Sequence, residues 1–193
     1  MGFMSVLSFA HKLVSERLQP GNSAIDATAG TGQDTLFLAG ICGPRGHVYA
    51  FDIQARALAL TRQRLDQAKQ DRLAGVTLVQ RSHAEMEDAL PQQLHGMIGA
   101  VMFNLGYLPA EGADSALITL TESTLHALQS ALRVLRSKGI VTVVLYPGHP
   151  GGDGEARAVE NWAASLSSAE GQAVIYRQIQ KPAAPYLIAI EKR

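Results

Sequence analysis

The segment from Ser23 to Thr35, SAIDATAGTGQDT, constrains the fold more than any other part of this chain. An apolar run ends at Asp26, a small-residue turn contains Gly30 and Gly32, and a helix-like run follows a second acid, Asp34. Glycines suit such a turn because a Cβ would block the close approach of a ligand to the backbone. The order of strand, glycine turn and helix predicts the nucleotide-binding corner of an open α/β sheet.

The spacing D-x-x-x-G-x-G bears on which nucleoside ligand this corner binds. A dinucleotide fingerprint takes a third small residue where this chain has Thr35. S-adenosylmethionine (SAM) has no pyrophosphate to place on the helix N-terminus, so the spacing favours SAM over NAD. A bare G-x-G also occurs in tight turns that bind nothing, and that alternative has to be weighed against the rest of the chain.

Helical and strand-like patterns alternate along the remaining sequence. An amphipathic N-terminal helix lies within residues 1–20, and a long leucine-rich helix is expected to stop at Gly139. Apolar runs predict further strands at 47–52, 76–80, 97–103 and 140–146, and a closing antiparallel hairpin at 173–179 and 186–190. The pattern predicts a single α/β domain over 1–193, a doubly wound, mostly parallel, seven-stranded Rossmann-like sheet with an antiparallel C-terminal hairpin strand.

Charge and cysteine usage narrow the classes of partner. The net charge is zero, so a nucleic-acid substrate would need a local basic patch. The single cysteine, Cys42, has no metal-ligand spacing around it, and no apolar run approaches membrane length. We therefore expect a soluble, cytoplasmic protein that binds neither metal nor membrane; the sequence leaves the oligomeric state open, a homodimer included.

Polar residues follow three further predicted strands, where a parallel sheet presents ligand contacts. Asp52 comes 20 residues after Gly32 and is placed to bind a ribose hydroxyl pair, although a helix N-cap is an alternative. Ser82-His83 end the third strand, and Asn104 to Tyr107, N-L-G-Y, end the fourth. His11 is expected to be a surface or capping group, with a ligand or substrate role as the alternative. The basic residues of the helix at 54–69 are expected to form a solvated face, with phosphate contacts as the alternative.

N-L-G-Y is similar to the [ND]-P-P-[YF] motif of SAM-dependent amino methyltransferases. In that motif the Asn side-chain oxygen and the next backbone carbonyl accept hydrogen bonds from the target amine, and the aromatic ring stacks on the base. Orienting the nitrogen lone pair in line with the departing sulfur needs acceptors and no metal. A strand-to-loop turn with a packed tyrosine is the alternative interpretation of these four residues alone.

The chain resembles the bacterial tRNA 5-aminomethyl-2-thiouridine methyltransferases, formerly labelled rRNA methylases. The resemblance rests on HKLVSERLQPG, DATAGTGQDTLFLA, VYAFDIQ, FNLGYLP, YPGHPGG with Glu155, and PYLIAIEK, and it runs nearly end to end. It implies a class I methyltransferase fold and SAM as methyl donor. It also implies that the substrate is the 5-aminomethyl group of the wobble uridine in the tRNA anticodon arm, giving 5-methylaminomethyl-2-thiouridine.

The resemblance also implies a role for each matching residue. Carried over by position, the residues that line the methionine end of SAM are Asp26, Thr28, Gly30, Gly32, Asp34 and Thr35. The ribose is bound by Asp52 and Gln54, and the adenine lies by Ser82 and His83. The amine is bound by Asn104, Gly106 and Tyr107, and the opposite wall of the pocket is formed by Tyr146, Gly148 and His149. Among these, Asn104, Tyr107 and His149 are the expected catalytic residues, with His149 or a water near Asn104 accepting the proton of the amine.

Three departures from the family pattern affect recognition of the adenine of SAM, in the case of Arg81, and of the substrate, in the other two cases. Arg81 replaces an acid before Ser-His, residues 110–116 lack the usual G-G-D-K, and residues 178–186 lack the usual asparagines. The family pattern is therefore kept more fully at the positions that hold the cofactor than at those that recognise the substrate. The alternatives are a methyltransferase of another RNA or a small amine, a non-catalytic SAM-binding module and, more distantly, a nicotinamide enzyme.

Overall fold

A seven-stranded mixed sheet forms the centre of the protein. The computed structural model describes residues 2–106, 121–148 and 151–193, apart from the side chain of Gln70. The strands are β1 (Ser23–Asp26), β2 (His47–Phe51), β3 (Gly75–Val79), β4 (Ile98–Leu105), β5 (Leu135–Leu145), β6 (Gly171–Tyr176) and β7 (Tyr186–Lys192).

The strand order is β3-β2-β1-β4-β5-β7-β6. Strands β3, β2, β1, β4 and β5 pair in parallel, whereas β7 runs antiparallel to both β5 and β6. The predicted doubly wound sheet with its antiparallel C-terminal hairpin is confirmed. Because β1 lies between β2 and β4, the carboxyl ends of these three strands meet at one edge, which is where ligands bind in such sheets.

Helices cover both faces of this sheet. They are α1 (Val6–Ser15), α2 (Gln33–Cys42), α3 (Ala55–Asp66), the single turn α4 (Met86–Ala89), α5 (Thr121–Val134) and α6 (Gly152–Ser165). The hydroxyl of Ser5 caps α1 by accepting from the backbone N–H of Ser8. Helix α1 packs against β5 and β7, α2 packs against β1 and β2, and α5 packs against α4 and α6.

The alternation of side chains along β4 shows why the strand is apolar throughout. Val101 and Phe103 pack on the face covered by α5 and α6, while Ala100 and Met102 pack on the face covered by α1 and α2. Successive strand residues point to opposite faces, so a strand buried on both sides has no polar alternation. The continuous run at 97–103 therefore correctly predicted a central strand.

The start of β5 corrects the predicted helix end. Helix α5 stops at Val134 and the strand already begins at Leu135, so Gly139 lies within a strand. The pairing register with β4 shifts just before Ile140, and Lys138 takes a φ of 60°. A Cβ on Gly139 would lie 2.7 Å from the Leu135 side chain. The glycine permits this bulge, and it does not terminate the helix.

Candidate functional site

The buried carboxylate of Asp26 stabilises the glycine turn through two hydrogen bonds. Its Oδ1 accepts from the backbone N–H of Thr28 at 3.1 Å, and its Oδ2 accepts from the hydroxyl of Thr35 at 2.6 Å. Burial raises the pKa of Asp26 to about 7, with the negative charge of Asp34 adding to the rise and the two hydrogen bonds opposing it. Both oxygens are therefore used to connect the strand end to the first turn of α2.

The two glycines of the turn adopt backbone conformations that side chains disfavour. Gly30 has a φ of 55° and Gly32 a φ of 79°. A Cβ on Gly32 would lie 2.8 Å from the Cα of Thr61 on α3. The same helix braces the turn from outside, since the Nε of Arg64 donates to the Thr31 carbonyl at 2.5 Å. Arg64 was expected to face solvent, but its guanidinium also stabilises the glycine turn.

Asp52 connects the end of β2 to the same turn. Its Oδ2 accepts from the backbone N–H of Gly30 at 3.0 Å, and its Oδ1 accepts from the backbone N–H of Gln54 at 2.9 Å. Burial raises the pKa of this carboxyl, while the backbone hydrogen bonds lower it. The bond to Gln54 is the N-cap geometry that the sequence offered as an alternative, and it coexists with a carboxylate at the strand end where a ribose would be bound.

Asn104 ends β4 directly beside the glycine turn. Its backbone N–H donates to the hydroxyl of Thr28 at 2.8 Å. Its side chain hydrogen-bonds the hydroxyl of Tyr146, the residue after β5, and this bond opposes the rise in the pKa of Tyr146 that burial causes. The Tyr146 ring also covers Gly106, where a Cβ would lie 3.5 Å from the ring. Three strand ends therefore converge on one polar corner.

Asp34 lies between the glycine turn and this corner. Its negative charge raises the pKa of both Asp26 and Tyr146. Carboxylates at Asp34 and Asp52, on either side of the glycine turn, suit a ligand that is a cationic nucleoside with a ribose diol. Among the described residues no group of three or more His, Cys, Asp or Glu side chains could hold a metal ion.

Ser82 and His83 follow β3. The Ser82 hydroxyl accepts from the backbone N–H of Ala84, which fixes the turn. The His83 ring is buried, makes an edge contact with Phe103 at 5.7 Å and hydrogen-bonds the backbone of Ala27. Burial lowers the pKa of His83 to about 4, so the imidazole is neutral at pH 7. The structure places it beneath the end of β1, and its predicted contact with adenine stays a prediction.

Comparison with known proteins identifies the family. A family model described as "Putative rRNA methylase" matches residues 48–191, most of the chain. The chain belongs to this rRNA methylase family. A curated relative from Arabidopsis thaliana, named tRNA (mnm(5)s(2)U34)-methyltransferase, chloroplastic, is 36% identical over 192 residues, which are 95% of this chain and 68% of that protein.

Solved structures of similar methylases cover the whole chain. A crystal structure from Clostridium thermocellum, titled as an rRNA-methylase, has a TM-score of 0.90 and 34% identity, with 100% of both chains covered. A methyltransferase from Streptococcus mutans in complex with SAH has a TM-score of 0.84 and 31% identity, again with 100% of both chains covered. These relatives are methyltransferases, so the chain is a member of an enzyme family.

Two residues expected in the methylase site lie outside the described residues. These are Tyr107 and His149, and with them the departure at 110–116. Gly148 is described, and a Cβ there would lie 3.0 Å from the Ala183 carbonyl, so the turn after β5 approaches the segment that leads into β7. The roles predicted for the site residues stay predictions.

Sequence reasoning gave a site role of His11 only as an alternative and missed the contacts of Thr61 and Arg64 with the glycine turn. His11 of α1 contacts Asp34, with 2.6 Å between its Nε2 and the carboxylate Oδ1, and its ring stacks on Phe37. Thr61 and Arg64 reach the glycine turn from α3. No local pattern marks such residues, since their role depends on how separate helices cross. In the part of the chain that the structure describes, no helix is long and apolar enough to span a membrane.

Proposed function

We propose that this methylase transfers the methyl group of SAM to the 5-aminomethyl group of the wobble uridine in tRNA, giving 5-methylaminomethyl-2-thiouridine. The observation that carries the proposal is the 2.8 Å hydrogen bond from Asn104 to Thr28. It fixes the asparagine corner directly against the glycine turn. A donor bound at the turn and an amine bound at the corner would therefore be neighbours.

The residues of the turn support SAM as the donor. Asp52 offers a carboxylate at the end of β2, where a ribose diol is bound in this class of sheet. Asp34 offers a negative charge at the first turn of α2 to a ligand that carries an ammonium group. The Streptococcus mutans relative, 31% identical, was solved with SAH, the product that SAM leaves after methyl transfer.

The Asn104 side chain supports an amine as the acceptor. Its hydrogen bond with the Tyr146 hydroxyl opposes the rise in the pKa of this phenol that burial causes. We assign the amide N–H of Asn104 as the donor to the phenol oxygen. The amide oxygen is then the group that this side chain offers to an N–H of the substrate. An amine held in this way directs its lone pair at the methyl carbon.

Atoms and charges balance without a metal. When bound, SAM supplies a methyl group on a cationic sulfur. The aminomethyl nitrogen, protonated at neutral pH, first releases a proton and so gains a lone pair. A new N–C bond then forms as the C–S bond breaks, and the sulfur retains that electron pair. We assign the proton to His149 or to water near Asn104. The wobble base would be flipped out of the anticodon loop into a pocket between Tyr107 and residues 146–152.

The test is a nucleoside analysis of tRNA. The protein is incubated with SAM and with tRNA whose wobble uridine carries an unmethylated 5-aminomethyl group. Mass spectrometry of the digested tRNA should show conversion to 5-methylaminomethyl-2-thiouridine. Asn104→Ala protein is the control and should give no conversion.

A second part of the experiment distinguishes tRNA from rRNA as the substrate. Ribosomal RNA is offered under the same conditions, because the matching family model is named for rRNA. Methylation of rRNA but not of tRNA would overturn the proposed substrate while keeping the methyltransferase. SAM binding without transfer to either RNA or to a small amine would indicate a binding module.

The predicted tRNA partner, homodimer and cytoplasmic location are part of this proposal. The Arabidopsis relative is named for a tRNA and is chloroplastic, so a tRNA substrate is supported by that name and the cytoplasmic location stays a prediction. A docking patch for the anticodon arm and a homodimer are likewise predictions.

A further inference from the structure

We infer that His11, on the N-terminal helix, is a positioning residue of the cofactor site, which orients Asp34 toward the amino-acid end of bound SAM. This inference rests on the proposed cofactor and is independent of the proposed tRNA substrate. The observation behind it is the paired contact that His11 makes with Asp34 and Phe37.

The two contacts hold the imidazole in one orientation. Its Nε2 lies 2.6 Å from Oδ1 of Asp34. Its ring stacks on Phe37 with 3.8 Å between ring centres and 7° between ring planes. Asp34 and Phe37 are three residues apart on α2, so they share one face of that helix. A single side chain from α1 therefore contacts both residues on that face.

The chemistry of a carboxylate fixes the direction of the hydrogen bond. An ionised carboxylate only accepts, so Nε2 of His11 carries the proton and donates to Asp34. The bond occupies Oδ1, and among the described residues no second hydrogen bond to this carboxylate occurs. Oδ2 of Asp34 is then the oxygen that a ligand ammonium group would contact.

Asp26, the neighbouring acid, is not available to a cationic ligand. Both oxygens of Asp26 already accept from Thr28 and Thr35, and the residue is 1% exposed. Asp34 is 8% exposed, more than Asp26, and its charge acts on Tyr146. Of these two acids, Asp34 is therefore the one with an oxygen that accepts no hydrogen bond from the described residues, and His11 determines where that oxygen points.

The experiment compares two ligands that differ only at the amino-acid end. S-adenosylhomocysteine carries that end, whereas 5′-methylthioadenosine lacks it. Binding of each is measured by calorimetry to the wild type and to His11→Phe, which keeps a ring for Phe37 but has no donor. We expect the Kd for S-adenosylhomocysteine to rise about tenfold, as for loss of a hydrogen bond to a charged group, with the Kd for 5′-methylthioadenosine unchanged.

Two further variants separate positioning from general stability. His11→Gln restores a donor and should recover most of the affinity for S-adenosylhomocysteine. In an Asp34→Asn background, His11→Phe should add little further loss, because two residues acting through one contact are not additive. Lys12→Gln, at the exposed neighbouring position on α1, is the matched control and should bind both ligands like the wild type.

Several results would overturn the inference. One is an unchanged Kd for S-adenosylhomocysteine in His11→Phe; another is an equal rise for both ligands, which would indicate a structural role. Fully additive effects of His11→Phe and Asp34→Asn would also contradict it. Failure to methylate tRNA would overturn the proposed substrate and leave the ligand-binding result standing, whereas a wild type that binds neither ligand would overturn the proposed cofactor and this inference together.

Discussion

The backbone N–H of Asn104 and the hydroxyl of Thr28 are hydrogen-bonded at 2.8 Å, although 76 residues separate them in the chain. Adjacent parallel pairing of β1 and β4 brings these strand ends together. Because the bond uses the main chain of Asn104, its side chain is left for other partners. The corner that we assign to the amine is thereby held in place by the turn that we assign to the donor.

Replacing Asn104 by Ala should abolish methyl transfer and leave SAM binding intact. The backbone hydrogen bond to Thr28 survives the change, while the amide that orients the amine is lost. Misorientation of a reacting group costs on the order of 100-fold in rate, so we expect the single-turnover rate constant to fall by about that factor or more, below what the nucleoside analysis detects. Single-turnover methylation and calorimetric titration with SAM measure the two properties. Unchanged turnover would show that the N-L-G-Y assignment is wrong.

Removing the carboxylate at Asp52 should weaken SAM binding. Asp52→Ala loses both the acceptor proposed for the ribose and the bonds that hold Gly30 and Gln54. Loss of charged hydrogen bonds of this kind predicts a rise in Kd of roughly 10- to 100-fold. Asp52→Asn, which keeps one acceptor oxygen, should fall between Ala and the wild type. If calorimetry gave the same SAM affinity for all three proteins, the ribose role would be refuted.

The sequence predicted the parts of the fold that depend on local pattern. Continuous apolar runs marked the buried strands, and the glycine spacing after Asp26 marked the turn. Parallel strand ends share one edge of a sheet, which is why the sequence alone could assign Asp52 and Asn104 to the same site as the turn.

What the sequence could not predict depends on contacts between distant elements. The His11–Asp34 contact depends on α1 bringing His11 to the start of α2, and the hydrogen bond from Arg64 to Thr31 depends on the position of α3. Gly139 looked like a helix stop because a glycine after a helical pattern usually ends the helix, whereas here it serves a bulge within the next strand. In each case tertiary packing decided the outcome of an ambiguous local signal.

The raised pKa of Asp26 predicts a pH dependence of stability. The folded pKa is about 7 and the ordinary value 3.8, so the folded protein binds more protons than the unfolded chain between these values. The contribution of this group to the free energy of unfolding therefore falls as pH rises from about 4 to 7, by an amount on the order of a few kcal/mol. Urea denaturation at pH 5 and pH 8 measures it.

The control for this pH dependence is Asp26→Asn. An amide can still accept from Thr28 and hydrogen-bond Thr35, but it does not ionise. The free energy of unfolding of the variant should therefore fall less steeply with rising pH than that of the wild type. Asp52 and His83 also have shifted pKa values, but they are present in both proteins and largely cancel in the difference. Identical pH profiles for the two proteins would contradict the raised pKa of Asp26.

Gly32, in the turn, and Gly40, within α2, offer a matched pair of glycines for testing the turn. Gly32→Ala places a Cβ 2.8 Å from the Cα of Thr61 at a φ of 79°, so we expect a loss of roughly 1–3 kcal/mol in stability and weaker SAM binding. Gly40 is exposed within α2 with nothing near its Cβ position, so Gly40→Ala should stabilise the protein by roughly 0.5–1 kcal/mol through helix propensity.

Thermal denaturation and SAM titration of both glycine variants distinguish the effect of a change in the turn from that of a change in the helix. The expected result is opposite shifts in Tm, with SAM affinity lost only in Gly32→Ala, because only that change displaces the backbone between Asp26 and α2. Equal affinity for SAM in the two variants would mean that the ligand does not approach the turn, and the assignment of the cofactor site to residues 26–35 would then fail.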